Sequence, residues 1–192
     1  LSAVSQGAAE LGLAPGMTLA DARARVPELL SLTHDPAADR HFLRGLAGGS
    51  HAFSPRVAVN APDGLTLDIA GVEHLFGGES AMVAAVEAHF DALSLTTQIA
   101  AANTAAGAAA LARFGGAEAG KDEHAALRAL PVEAWALDHD ATLALRRAGL
   151  KRVGDVAKRP SATIAARFGM GAIAALEQLL GDQSAPIDAI AH

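Results

Sequence analysis

Between Ser54 and Gly71 the chain reads Ser-Pro-Arg-Val-Ala-Val-Asn-Ala-Pro-Asp-Gly-Leu-Thr-Leu-Asp-Ile-Ala-Gly, and no other stretch constrains the fold as much. Leu65, Leu67 and Ile69 alternate with Thr66, Asp68 and Ala70, the period-two pattern of a strand with one buried face. A second short extended segment precedes Pro62-Asp63-Gly64, which has the residue types of a turn joining two strands. In such a turn Asp63 is expected to bond its own backbone. The chain must therefore build a sheet around this pair, and the rest of the pattern says what covers it.

Ala3 to Leu11 is alanine-rich and helical in pattern, ending at Gly12. Thr18, with Asp21 three residues later, forms a capping-box start for a helix from Leu19 to about Leu30, and Pro27 ends or kinks its last turn. Asp35-Pro36 opens a helix to about Leu46. Val72 to Gly78 is a connector to a helix capped by Ser80, whose Met82, Val83, Val86, Phe90 and Leu93 form one apolar stripe. Thr96 to Ala101 reads as a strand and Thr104 to Phe114 as a helix stopped by Gly115-Gly116. Strand, strand, helix, strand, helix is the order of an α+β sheet with helices on one face. Ala117 to Asp122 is a polar linker, and everything after it has a helical pattern, including Ser161 to Phe168 and Ala172 to Leu180.

Charge and residue usage exclude several function classes. The net charge is −6, yet residues 138–170 carry seven basic and three acidic side chains, while residues 1–137 carry eight basic and fifteen acidic. A nucleic-acid contact, if present, falls on the basic stretch, in which Arg146, Arg147, Lys151 and Arg152 cluster at a helix end and the turn after it. With no cysteine there is neither a disulfide framework nor a thiolate zinc site, which fits a reducing cytoplasm. No apolar run reaches membrane-spanning length, so no membrane partner is expected. His34, Asp35, Asp39 and His41 are the closest grouping of metal-ligand types and lack a zinc spacing, so no metal site is expected. Trp135 reads as a core anchor, and Gly169-Met170-Gly171 as a break between helices. The first residue is Leu rather than Met, the expectation for a piece of a longer protein.

The Ser54–Gly71 phrase resembles, without a gap, the palm motif of the Y-family (translesion) DNA polymerases, keeping Ser54, Pro55, Val57, Asp63, Leu67, Asp68 and Gly71. Residues 6–17 resemble the family's fingers motif, and residues 130–157 its helix–hairpin–helix thumb, with Ala148 to Val156 the closest match. The resemblance implies a partial Y-family polymerase core of α+β class. A helical fingers part would span residues 1–46, a ferredoxin-like palm 47–116, and an all-helical thumb-like domain 123–192. A ferredoxin-like palm has one further strand ahead of those in this chain.

The chemical residues of the family are missing. Its metal-binding Asp-Glu pair falls on Asp63 and Gly64, so Asp63 is the only carboxylate of that pair retained, and Asp68 and Glu73 are the other carboxylates nearby. Two-metal nucleotidyl transfer needs clustered carboxylates, and glycine supplies no ligand. The family's triphosphate-contacting Tyr and Arg fall on Gln6 and Ala9, and residues 103–112 contain no lysine to match its Asn-Lys. The Gly-x-Gly turn that meets a phosphate becomes Ala136-Leu137-Asp138. The phrases His74-Leu75-Phe76-Gly77-Gly78-Glu79 and Ala-Leu-Ala-Arg-Phe-Gly-Gly ending at Gly116 resemble the ImuB-type branch of the family. That branch implies a non-catalytic adaptor of a bacterial damage-induced mutasome, without a cofactor. Its partners would be a sliding clamp, an ImuA-type RecA-like protein and an error-prone replicative-type polymerase, with weak, non-specific DNA binding. Two other readings stand beside it. One is an active polymerase using magnesium, its first metal-binding strand outside this chain, which Gly64 opposes. The other is a DNA-binding or oligomerisation module without polymerase ancestry, which the palm match opposes.

Overall fold

The computed structural model describes residues 1–115 and 122–190. By its internal contacts the chain divides into two compact units, Leu1–His41 and Phe42–His192.

In the first unit, helix α1 (Gln6–Glu10) starts at Ser5, whose side chain accepts from the Ala8 amide. Helix α2 (Leu19–Arg25) starts at Thr18, which accepts from the Asp21 amide at 3.1 Å and donates to the Asp21 carboxylate at 2.7 Å. This helix ends well short of Leu30, because Val26, the residue before Pro27, is forced out of the helical region. Asp35 opens helix α3 (Pro36–Gly49), accepting from the Ala37 and Ala38 amides at 3.0 Å each. Those amides, Ala38 first, hold the Asp35 carboxyl below the usual carboxylate range. The cap is therefore fully in force above the ordinary aspartate pKa and is lost as pH falls through the lowered one. Helix α3 runs through Gly48-Gly49 into a 3-10 turn over Ser50–Ala52, three residues past the expected end. Its Ser50 hydroxyl donates to the Leu46 carbonyl, which satisfies that carbonyl at the helix end.

The second unit contains one antiparallel pair, β1 (Val57–Asn60) and β2 (Gly64–Leu67), in the register Val57 with Leu67 and Asn60 with Gly64. Gly64 thus begins a strand instead of sitting in the turn, which is Ala61–Asp63. Ser54, Arg56 and Asp68 close the base of the hairpin. The buried Ser54 hydroxyl donates to the Asp68 carbonyl at 2.5 Å and accepts from the Arg56 amide at 3.1 Å. The Arg56 guanidinium lies 3.0 Å from the Asp68 carboxylate. On its other side β1 meets the chain's last described residues, through an antiparallel bridge from Ala58 to Ala189 and a 2.8 Å bond from the Ile190 amide to the Val57 carbonyl.

A 3-10 turn at Glu73–Phe76 leads into helix α4 (Glu79–Ala92). The helix is entered at Gly78 with no side-chain cap, so Ser80 lies inside it and does not cap it. Of the expected stripe Met82, Val86 and Phe90 are buried, while Leu93 is exposed. The expected third strand at Thr96–Ala101 is not formed: these residues pair with no strand among the described residues. An apolar, β-branched run becomes a strand only where a neighbour supplies ladder hydrogen bonds.

Helix α5 (Ala105–Phe114) is capped by Thr104 and followed by α6 (Glu123–Ala129), α7 (His139–Arg147), α8 (Val153–Ala157), α9 (Ser161–Phe168) and α10 (Met170–Leu180). Gly116 and most of the expected linker lie outside the described residues. Helices α5 to α10 share one core, in which Leu127, Val132, Leu145, Val153 and Val156 are almost fully buried. Helix α5 approaches α10 so closely that a Cβ at Gly107 would lie 3.2 Å from the Leu179 carbonyl. Trp135 is 2% exposed, donates its indole N–H to the Ala172 carbonyl at 3.0 Å and meets Phe168 edge to face. It is a core anchor. Trp135→Ala is expected to cost about 3–5 kcal/mol of stability, read by urea unfolding followed by circular dichroism; a loss under about 1 kcal/mol would contradict this packing.

Candidate functional site

Asp63 projects from the hairpin turn, and its carboxylate does not turn back on its own backbone. It accepts from the guanidinium of Arg113, in the last turn of α5 and fifty residues further along the chain. Nothing local in the sequence marks Arg113 as its partner; only the fold brings the end of α5 to the turn. The pair is exposed on both sides, at 51% and 66% of the side-chain surface, so it contributes under about 1 kcal/mol to stability. Its effect is chemical, because the remaining carboxylate of the motif's Asp-Glu pair already has a cation. At the neighbouring position a Cβ on Gly64 would lie 3.3 Å from the Asn60 carbonyl oxygen, so a side chain there requires Asn60 to give by a few tenths of an ångström.

Of the other carboxylates near the palm hairpin, Asp68 is engaged, while Glu73 has a buried oxygen without a hydrogen-bond partner among the described residues. Asp68 pairs with Arg56 and accepts from the Ala70 amide at 3.2 Å. Glu73 begins the 3-10 turn and has one carboxylate oxygen sealed from solvent. Among the described residues no three His, Cys, Asp or Glu side chains come together in a way that could hold a metal ion. In the first unit Asp35 caps α3 and Asp39 lies 3.0 Å from His34. The donor set present does not fit a pair of magnesium ions.

The positions corresponding to triphosphate contacts are occupied by other interactions. Gln6 bonds Glu10 along α1 at 3.2 Å, and Ala9 offers no polar atom. Thr104, which follows Asn103, is buried; it caps α5 and donates to the Gln178 carbonyl at 2.7 Å. Asn103 is held by Glu123, with its amide and side-chain nitrogens 3.0–3.2 Å from the carboxylate.

The thumb-like hairpin is closed in the same manner. Ala136 adopts φ +54° and ψ 32°, a left-handed conformation that favours glycine. Asp138 then caps α7, its carboxylate accepting from the Ala141 amide at 2.7 Å. The N-terminal amides that would otherwise attract an anion meet an anion of the chain itself.

The four basic residues expected to meet DNA divide into two pairs. Arg146 is tied to Glu133 at 2.6 Å. Arg152 precedes α8, its amide bonded to Asp155 at 3.0 Å and its guanidinium 3.4 Å from the Ala129 carbonyl. Arg147 and Lys151 are exposed, and their side chains have no ion-pair partner among the described residues. The turn carrying Lys151 is fixed by its backbone: the Val132 amide donates to the Lys151 carbonyl at 2.9 Å and the Val153 amide to the Leu130 carbonyl at 3.0 Å.

Two substitutions in the hairpin should move stability in opposite directions. Ala136→Gly, which removes the left-handed penalty, is expected to be stabilising by up to about 1 kcal/mol. Asp138→Ala, which deletes the cap, is expected to cost about 1 kcal/mol. Chemical denaturation of both variants reads these changes, and a destabilised Ala136→Gly would show that the turn conformation is different.

The chain is similar to known proteins over nearly its whole length. The model of the impB/mucB/samB family matches residues 1–113. Protein ImuB of Caulobacter vibrioides, in strain NA1000 / CB15N and in strain ATCC 19089, is 45% identical over 178 residues. That alignment covers 91% of this chain and 39% of those relatives, so the chain spans about two fifths of their length. The crystal structure of DinB from Sulfolobus solfataricus superposes with a TM-score of 0.72 at 14% identity, over 95% of this chain and 56% of that one. An insertion ternary complex of Dbh DNA polymerase superposes with a TM-score of 0.76 at 15% identity, again over 95% and 56%. At such low identity the two structures establish the fold, a partial Y-family polymerase core. The chain belongs to the impB/mucB/samB family of Y-family polymerase relatives, as an ImuB-type homologue.

Proposed function

We propose that this chain is the core of a non-catalytic Y-family homologue that serves as an adaptor in a bacterial damage-induced mutasome, supporting translesion synthesis by other polymerases. One observation carries the reading: the metal-ligand pair of the palm is reduced to Asp63, which is bonded to Arg113, beside a glycine. Gln6 and Ala9 at triphosphate positions and the absence of a lysine from residues 103–112 support it, as does the Asp138 carboxylate at the hairpin. The protein catalyses no nucleotidyl transfer and takes no metal cofactor. Residues 1–46 act as a fingers-like part, 47–116 as palm and 123–192 as thumb. Its partners are a sliding clamp, an ImuA-type RecA-like protein and an error-prone replicative-type polymerase, and its place is the cytoplasm; no helix among the described residues is long and apolar enough to cross a membrane. DNA is held weakly and without regard to sequence, through phosphate contacts from the basic stretch between Arg146 and Arg167.

The test is primer extension by the full-length protein with magnesium and all four nucleotides. No extension is expected, and Gly64→Glu is expected not to restore it, because Asp63 remains neutralised and the new side chain meets Asn60. Losing one electrostatic contributor alone typically costs about a hundredfold to a thousandfold in rate. Template-directed extension abolished by Asp63→Ala would overturn the proposal.

A further inference from the structure

We propose that residues 187–190 form an exchangeable arm: where two copies of the chain are held close together, the arm of each leaves its own sheet edge and takes the outer edge of β1 in the other. The inference goes beyond the adaptor reading and does not depend on it. In the structure the arm lies on its own copy, where Ala189 bridges Ala58 antiparallel and the Ile190 amide donates to the Val57 carbonyl at 2.8 Å. Because that bond is made to the residue before Ala58, Ala58 and Ala189 form a pair of the closely spaced, non-hydrogen-bonded kind.

The attachment is slight, and a hinge precedes it. Of residues 181–190 only Ile187 and Ile190 are half-buried, and the rest are exposed. The Asp182 and Gln183 amides are tied to the Glu177 carbonyl at 2.8 and 3.2 Å, so the hinge starts from a fixed point at the end of α10. Ser184, Ala185 and Pro186 have no regular structure, and Ala185, preceding a proline, is held away from the helical region. Opening therefore breaks few bonds and leaves both the β1–β2 ladder and the helical core intact. It bares a strand edge at Val57 and Ala58, both buried, and such an edge is satisfied by main-chain bonds from another strand.

The sequence that fits this edge is supplied by the chain itself. A second copy offers the same Ile187 to Ile190, in the same register and behind the same hinge, whereas an unrelated strand would have to match both. Reciprocal exchange satisfies the β1 edge of each copy and closes a two-fold dimer instead of an open row of copies. Proximity opposes it. A short hinge keeps the arm near its own β1 at an effective concentration of about 1 mM, so dilute protein closes on itself and exchange appears as copies approach that concentration. The arm thus responds to copies gathered at one place, as in side-by-side assembly on a shared surface.

The test is disulfide trapping in the full-length protein, with Ala58→Cys and Ala189→Cys made singly and together and the parent as background; residues 1–192 contain no cysteine of their own. Non-hydrogen-bonded partners stand about 4.5 Å apart between Cα atoms, within disulfide range. In dilute solution the double variant is expected to close internally, as a monomer that runs faster on a non-reducing gel. Equal amounts of the two single variants, mixed and oxidised, are expected to give a covalent dimer whose link between positions 58 and 189 is identified by peptide mass. Its yield should be about a tenth of the copies at about 0.1 mM and fall about tenfold on tenfold dilution. Because Ala58 is buried, a second variant reads the exchange without cysteine. Deleting Ser184 and Ala185 shortens the hinge by about 7 Å and hinders closure within one copy, so light scattering should show more dimer than in the parent at equal concentration. If the double variant closes internally while the mixed singles give no such dimer above background, the arm stays on its own copy and the proposal fails. It fails equally if the folded double variant does not close at all. Should Ala58→Cys not fold, the shortened variant decides alone: more dimer upholds the exchange, and an unchanged monomer overturns it.

Discussion

Burial of helix α5 between two dissimilar parts of the second unit is the constraint on which the rest depends. Its inner face, with Ala110 and Leu111, belongs to the same apolar core as α6 to α10. Its first turn is stitched to the end of α10 by Thr104 and kept close by Gly107, which leaves no room for a side chain against the Leu179 carbonyl. Its last turn carries Arg113 to the hairpin. An alanine-rich helix suits this task, because small side chains permit close approach and cost little side-chain entropy on burial. The apolar packing of the helical core provides most of the stabilisation, and the exposed Arg113–Asp63 pair orients the hairpin turn rather than holding the unit together.

A common substitution of partners runs through the positions that resemble a polymerase. Asp63 and Asp138 are exposed polar groups and Thr104 is a buried one, and each is bonded within the chain, to Arg113, the Ala141 amide and the Gln178 carbonyl respectively. Pairing a polar group within the chain removes the cost of leaving it unsatisfied wherever it is buried, as Thr104 is.

Much of this was legible in the residues. The alternation at Leu65 to Ile69 locates β2, although the strand stops at Leu67 and is half-buried throughout instead of burying one face; the pairing of Thr18 with Asp21 locates the start of α2, and the apolar spacing places α9 and α10. These are local signals, set within a few residues by backbone and cap geometry. What failed depended on partners distant in sequence. Thr96 to Ala101 has strand-like residues but no neighbour to pair with, and Asp63 looked like a self-contained turn residue until α5 delivered Arg113. Arg146 and Arg152 looked equivalent to Arg147 and Lys151, yet Glu133 and the Ala129 carbonyl, met only through the fold, separate them. Gly64 was legible as a missing ligand; that it stands opposite Asn60 at the start of β2 was not.

The pairing of residues 189–190 with β1 sets a schedule for folding during synthesis. The hairpin can form as soon as Leu67 has emerged, but the partner of its outer edge follows about 120 residues later. A contact between segments so far apart in sequence carries a large loop-closure entropy, so it belongs to the later events of folding. Of the bonds around β1, those to residues 189–190 are therefore the ones expected to form last and open first, while the short Ala61–Asp63 turn lets the β1–β2 ladder form locally.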